Sequence, residues 1–138
     1  VTPFPFVAPV VLVVDDDAAL RRVLDRALTH RGHRVLLAGT PEDAYQMLHV
    51  EKPDAVLLDI QMPTMSGLAL YVAMVSRWPN LRGHIAIMTG DAEADEVRAW
   101  FTQHDCMLLP KPFDLDAVAG WVESVARQRQ REAGNGRA

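Results

Sequence analysis

The chain is short of cysteine, of lysine and of long apolar runs, and each shortage narrows what it can be. One cysteine, Cys106, among 138 residues cannot close an internal disulfide and has no cysteine partners for a metal site. A reducing interior, the cytoplasm, is therefore the expected location. The longest apolar stretch, around Phe6 to Val14, is interrupted by Pro9 and falls short of the ~18 residues a membrane span needs. It also lacks a basic leader and a clear small-residue cleavage site, so neither a signal peptide nor membrane attachment is expected. Bases are outnumbered, 14 against 18 acids, for a net charge of -4. That balance argues against direct nucleic-acid binding through a basic surface. The arginines at 127, 129 and 131 read instead as a solvated helix end. Only two of the 14 bases are lysines, Lys52 and Lys111, and the second stands between Pro110 and Pro112.

What is present is a single domain's worth of alternating pattern. Residues 1–9 hold three prolines and read as an extended arm; the absence of an initial Met fits a trimmed fragment. Val10 to Val14 is a continuous Val/Leu run, the mark of a strand buried on both faces. Leu20, Val23, Leu24, Ala27 and Leu28 then recur at helical spacing until Gly32 stops them. Further strands are expected at Val35 to Ala38, Ala55 to Leu58, Ile85 to Met88 and Cys106 to Leu109. Helices intervene: one from Thr40-Pro41, with Thr40 as N-cap and Asp43 completing an approximate capping box, then Ser66 to Arg77 and Glu93 to Gln103. A last helix is capped by Asp114 and runs to about Arg127, with residues 128–138 expected to be a disordered tail or linker. Five strands alternating strictly with five helices require parallel crossovers. The expected architecture is an α/β flavodoxin-like doubly wound sheet of order 2-1-3-4-5, with residues 10–127 as the folded domain.

In such sheets ligands bind at the carboxyl ends of the strands. Strand one ends in Asp15-Asp16-Asp17, strand three in Asp59, strand four in Thr89 and strand five in Pro110-Lys111. Carboxylates gathered from neighbouring strands repel unless a cation sits among them, and oxygen ligands on a shallow rim favour Mg²⁺ over zinc. A lysine suits one phosphate oxygen and a threonine hydroxyl another. An Asp flanked by these groups can act as the nucleophile and form an acyl phosphate.

The four segments Val11-Leu12-Val13-Val14-Asp15-Asp16-Asp17, Leu57-Leu58-Asp59-Ile60-Gln61-Met62-Pro63-Thr64-Met65-Ser66-Gly67, Met88-Thr89-Gly90 and Leu109-Pro110-Lys111-Pro112-Phe113 together resemble the receiver domain of two-component response regulators. The resemblance covers about residues 10–127 and implies that Asp59 accepts a phosphoryl group from a sensor histidine kinase or a phosphotransfer protein. It implies Mg²⁺, or Mn²⁺ in its place, held by Asp15, Asp16, Asp59 and the backbone carbonyl of Gln61. Thr89 and Lys111 would contact the phosphoryl oxygens, with Asp17 in a lesser role. Gln61 and Asp91 stand where the family tunes its dephosphorylation. The sequence departs from the family pattern at Leu108, where an aromatic residue is common, which puts aromatic switching in doubt. The output expected is a change in partner binding rather than turnover of an external substrate, so the chain is not read as an enzyme. Two alternatives stand beside this: a receiver-like interaction module that is never phosphorylated, and a haloacid-dehalogenase-like phosphatase. The latter needs a second acid two residues after its nucleophile, where this chain has Gln61.

Other residues have plainer expectations. Met62 and Met65 read as loop and core packing, Cys106 as a small core residue, and His30 and His33 as caps around Gly32. The Lys111–Pro112 peptide is expected to be constrained so as to aim the lysine. Trp100 and Trp121 leave two readings open: core packing, or a partner face on the last two helices that a homodimer would use. Whether the chain works alone, as a relay, or as one domain of a longer regulator is likewise left open by the residues.

Overall fold

The computed structural model describes residues 7–62, 66–90, 94–104, 106–111 and 114–135. Five parallel strands, β1 (Val10–Val14), β2 (Arg34–Ala38), β3 (Ala55–Asp59), β4 (Ile85–Thr89) and β5 (Met107–Pro110), form one sheet in the order β2-β1-β3-β4-β5. Helices α1 (Ala18–His30), α2 (Pro41–Met47), α3 (Gly67–Arg77), α4 (Asp95–Gln103) and α5 (Leu115–Asn135) alternate with them, and a short 3-10 turn covers Pro79–Leu81. This is the expected doubly wound arrangement.

Alternation along each strand builds two cores. Leu12, Val14, Val56, Leu58, Ile85 and Ile87 face the side covered by α2, α3 and α4. Val11, Val13, Ala55, Leu57, Ala86 and Met88 face α1 and α5, where Leu24, Leu28, Val118 and Val122 meet them. Residues of β1, β3 and β4 are buried on both faces, which is why their sequences are nearly continuous Val, Leu, Ile and Ala. Met62 belongs to the first core; Met65 lies outside the described residues.

Caps set the helix boundaries. Thr40 accepts the Asp43 N–H at 3.1 Å with Pro41 in the first turn of α2, as the sequence implied. Ser66 caps α3 by accepting the Ala69 N–H at 3.1 Å. At the end of α1, Gly32 adopts φ 87, and the N–H groups of Gly32 and His33 close onto the carbonyls of Thr29 and Leu28. His33 caps through its backbone only; its buried side chain places Nε2 3.3 Å from Glu123 of α5. Cys106 precedes β5 rather than lying within it, half-buried with Sγ 3.2 Å from the Ile85 carbonyl.

The largest departure is α5. It runs to Asn135, past the Arg127 limit expected from the sequence, so residues 128–135 are helical rather than a loose tail. Arg129 explains part of this: its guanidinium donates to the carbonyls of Lys52 and Pro53 and lies 3.6 Å from Asp54, at the N-terminal end of β3. Gln130 donates to the Val7 carbonyl at 2.9 Å. Of the basic run, Arg129 is therefore held against the N-terminal edge of the sheet, while Arg127 and Arg131 are exposed, as expected of a solvated helix end. Residues 1–6 of the expected arm, Asp91 and the Lys111–Pro112 peptide fall on or beside undescribed positions. Among the described residues no helix is long and apolar enough to cross a membrane.

Candidate functional site: an acidic cleft at the carboxyl edge of the sheet

The parallel register brings the C-terminal residues of β1, β3 and β4 side by side. Val14 pairs with Leu58, and Asp59 with Met88, so the residues that follow crowd onto one edge. Asp15, Asp16, Asp17, Asp59, Gln61 and Lys111 all line one open cleft of 740 Å³ there, together with Ile60, Met62, Ser66 and Gly90. Asp15 is fully buried and Asp59 is 5% exposed, whereas Asp16 is exposed.

Carboxylate oxygens of Asp15, Asp16 and Asp59 lie within 4.8 Å of one another, the spacing of a set that can hold a metal ion. Three carboxylates with no nitrogen or sulfur donor suit a hard cation such as Mg²⁺. The Lys111 ammonium sits 3.4 Å from Asp15 Oδ2 and 3.4 Å from Asp59 Oδ1, bridging the two buried acids. Asp59 also accepts the Gln61 N–H at 3.4 Å, a long contact. Burial holds the Asp59 carboxyl above its ordinary value of 3.8, and the Asp15 charge pushes it the same way. The Lys111 ammonium and the Gln61 N–H oppose that rise without cancelling it. Asp59 is thus a more basic carboxylate than one in water.

The loop carrying the acids is tightly built. Asp15 donates its N–H to the Ala38 carbonyl at 3.1 Å and accepts the Asp17 N–H on Oδ1 at 2.9 Å. Asp17 in turn accepts the Ala19 and Leu20 N–H groups at 2.9 and 3.3 Å, making it the N-cap of α1. On the opposite wall, Gly67 N–H donates to the Ile60 carbonyl at 2.8 Å. A Cβ on Gly67 would lie 2.0 Å from the Asp59 carbonyl oxygen, so only glycine lets α3 approach β3 this closely.

Some of the expected residues stand apart from the cleft. Thr89 closes β4 but is 1% exposed; it is the neighbouring Gly90 that lines the cavity, while the Thr89 carbonyl accepts the Lys111 N–H at 2.6 Å. Leu108 is half-buried on β5, paired with Ile87. Trp100 stacks on His104 at 3.9 Å and meets Tyr71 edge-on at 5.1 Å, packed against the core on the α4 side. Trp121 packs against the opposite core. Asp91 lies outside the described residues. Sequence reasoning missed Ser66, which both caps α3 and forms a wall of the cleft. It also missed Arg21, whose Nη1 donates to the Asp15 carbonyl at 2.6 Å. No local pattern announces that contact, since an arginine on an amphipathic helix ordinarily faces solvent.

Comparison with known proteins agrees with this geometry. The family model for the response regulator receiver domain matches residues 11–123. The DNA-binding transcriptional regulator NtrC of Escherichia coli (strain K12) is 36% identical over 123 residues, covering 89% of this chain and 26% of NtrC. The response regulator MprA of Mycolicibacterium vanbaalenii is 32% identical over 126 residues, covering 91% of this chain and 54% of MprA. The chain thus spans about a quarter of the one and about half of the other. The solution structure of the apo receiver domain of nitrogen regulatory protein C superposes with a TM-score of 0.77 at 36% identity, covering 88% of this chain and 97% of that one. With the strand order, the acidic cleft and the match over residues 11–123 in agreement, the chain belongs to the response regulator receiver domain family.

Proposed function

We propose that this receiver is a phosphorylation switch in which Asp59 takes a phosphoryl group from the phosphohistidine of a sensor kinase or phosphotransfer protein. The phosphorus–nitrogen bond of the donor breaks as a bond forms between phosphorus and an Asp59 carboxylate oxygen. The observation that carries this is the convergence of Lys111 on both Asp59 and Asp15 at 3.4 Å. One cation already bridges the nucleophile and the acidic pair, and it stands ready to neutralise an added phosphoryl oxygen.

Asp15, Asp16 and Asp59, with the backbone carbonyl of Gln61, would hold Mg²⁺ or Mn²⁺. When bound, the metal offsets charge on the transferring group. The chain's own residues position and tune. Burial and Asp15 keep Asp59 basic, Gln61 N–H orients its carboxylate, and Gly90 leaves the rim of the cleft open. Thr89, buried at the end of β4, would turn its hydroxyl to a phosphoryl oxygen and carry the change into the sheet. Asp17 acts at one remove, by capping α1, and Asp91 would tune hydrolysis. The domain turns over no external substrate: it assists transfer to and hydrolysis from its own side chain, and its output is an altered partner surface. A dimer face on α4 and α5 near Trp100 and Trp121 belongs to the same proposal.

Family membership removes the support for a haloacid-dehalogenase-like phosphatase, which already lacked an acid at Gln61. The unphosphorylated module keeps one observation in its favour, the aliphatic Leu108 on β5. Intact-mass measurement after incubation with acetyl phosphate separates the two. The expected result is a Mg²⁺-dependent gain of one phosphoryl group that Asp59→Asn abolishes. No adduct in the wild type, together with no binding of beryllofluoride, would establish the module instead.

A further inference from the structure

The acidic loop is held by a cation that takes no part in the chemistry assigned to the cleft. Arg21, in the first turn of α1, reaches back and donates from Nη1 to the carbonyl of Asp15 at 2.6 Å. That carbonyl belongs to the residue whose carboxylate faces Lys111 and the other acids. The hydrogen bond is charge-assisted and its acceptor residue is fully buried, conditions that make it strong.

Gly39 supplies an independent observation. It follows β2, next to Ala38, whose carbonyl receives the Asp15 N–H. Among the described residues positive φ occurs only at Gly32 and Gly83, so Gly39 is not required for a left-handed backbone. What occupies the place of its missing side chain is the Arg21 guanidinium. A Cβ there would stand 3.0 Å from Nη1, 3.3 Å from Cζ and 3.5 Å from Nη2. The absence of a side chain at 39 makes room for the arginine.

We propose that Arg21 is a positioning residue for the cation site, clamping the Asp15 carbonyl from beneath with Gly39 as its seat. The loop is then pinned at both ends of the Asp15 residue, by Ala38 on its N–H and Arg21 on its carbonyl, and its carboxylate is presented in one orientation. This inference rests on the functional reading above only for the identity of the cation; the clamp itself is a property of the loop's own hydrogen bonds.

The two roles open to Arg21 predict opposite signs. A positive charge near an acidic cluster, acting only through its field, opposes Mg²⁺, so its removal would tighten binding. A clamp works the other way. Arg21→Ala should weaken Mg²⁺ binding about ten-fold, the size of one lost charge-assisted hydrogen bond, and speed metal-free exchange of the Asp17 amide by a similar factor. Gly39→Ala should weaken Mg²⁺ binding about three-fold by displacing the guanidinium, yet cost nothing further on the Arg21→Ala background, a non-additivity that requires the two to act as one unit.

The experiment is a Mg²⁺ titration followed by ¹⁵N-amide shifts, with metal-free hydrogen exchange, on the wild type, both single variants and the double variant. Unchanged or tightened Mg²⁺ binding in Arg21→Ala, or additive losses in the double variant, overturns the clamp. A wild type that binds no Mg²⁺ overturns the proposed function instead, and the Asp17 exchange rate then decides on Arg21 alone: faster in Arg21→Ala supports it, unchanged refutes it. Gly39→Ala covers the case in which Arg21→Ala does not fold, since it leaves the arginine in place.

Discussion

Asp59 carries two opposing demands. Its place at the end of a fully buried strand removes water from a carboxylate that also faces Asp15, and Lys111 offsets only part of that cost. The pKa is raised, so between the ordinary value and the raised one the folded protein binds more protons than the unfolded chain. The penalty is fully present above the raised pKa and is relieved as pH falls through it. Asp59→Asn should therefore raise the metal-free Tm at neutral pH by roughly 2–5 °C, with the gap to wild type closing as pH is lowered. Thermal melts across pH in EDTA check this, and a lower Tm for the variant would refute it. Gly67 makes a second residue-scale test. With its would-be Cβ 2.0 Å from a backbone oxygen, Gly67→Ala should cost about 3 kcal/mol or more, the range of severe overpacking. Urea denaturation measures it, and a loss under about 1 kcal/mol would contradict the close approach.

At the scale of elements, the ends of helices decide where the functional loops begin. Asp17, Thr40 and Ser66 each cap a helix that leaves the carboxyl edge of the sheet, and two of them, Asp17 and Ser66, also line the cleft. Thr40 caps without lining the cleft, and Thr40→Ala should cost about 1 kcal/mol of stability with phosphorylation by acetyl phosphate unchanged. The extended end of α5 invites a different test. Arg129 anchors it to the carbonyls of Lys52 and Pro53. Arg129→Ala should lower stability by about 1–3 kcal/mol, the range of one charged hydrogen bond, and loosen amide protection in residues 128–135 while leaving Mg²⁺ affinity unchanged. Hydrogen exchange resolved by residue distinguishes this from a helix that stands by its own propensity.

For the whole molecule, the two cores and the cleft are coupled through the central strands. β3 places Leu57 in one core, Leu58 in the other and Asp59 in the cleft. A ligand that binds only the folded cleft stabilises the entire domain by mass action, by about 2.7 kcal/mol at a hundred times its Kd. Mg²⁺ should raise the Tm of the wild type, EDTA should reverse the rise, and Asp59→Asn should blunt it. A Mg²⁺ effect of equal size in the variant would mean that Asp59 is no ligand.

Much of this was legible in the residue order. Continuous apolar strands with helical spacing between them determined the sheet and its order, and the acids and lysine at strand ends foretold the charged residues of the cleft, because burial on two faces and parallel crossovers leave few alternatives. Thr40 announced its cap because capping is local, whereas the caps at Asp17 and Ser66 emerged only with the structure. Tertiary structure alone decided the contacts between residues far apart in the chain. Arg129 fastens the end of α5 because the loop before β3 presents the carbonyls of Lys52 and Pro53 to it, and Thr89 is drawn beneath the cleft's surface by the packing of β4 between β3 and β5. Arg21 and Gly39, unremarkable on their own elements, meet under Asp15 because β1 and β2 pair in register. Periodicity sees the element a side chain stands on; it does not see what the fold places opposite.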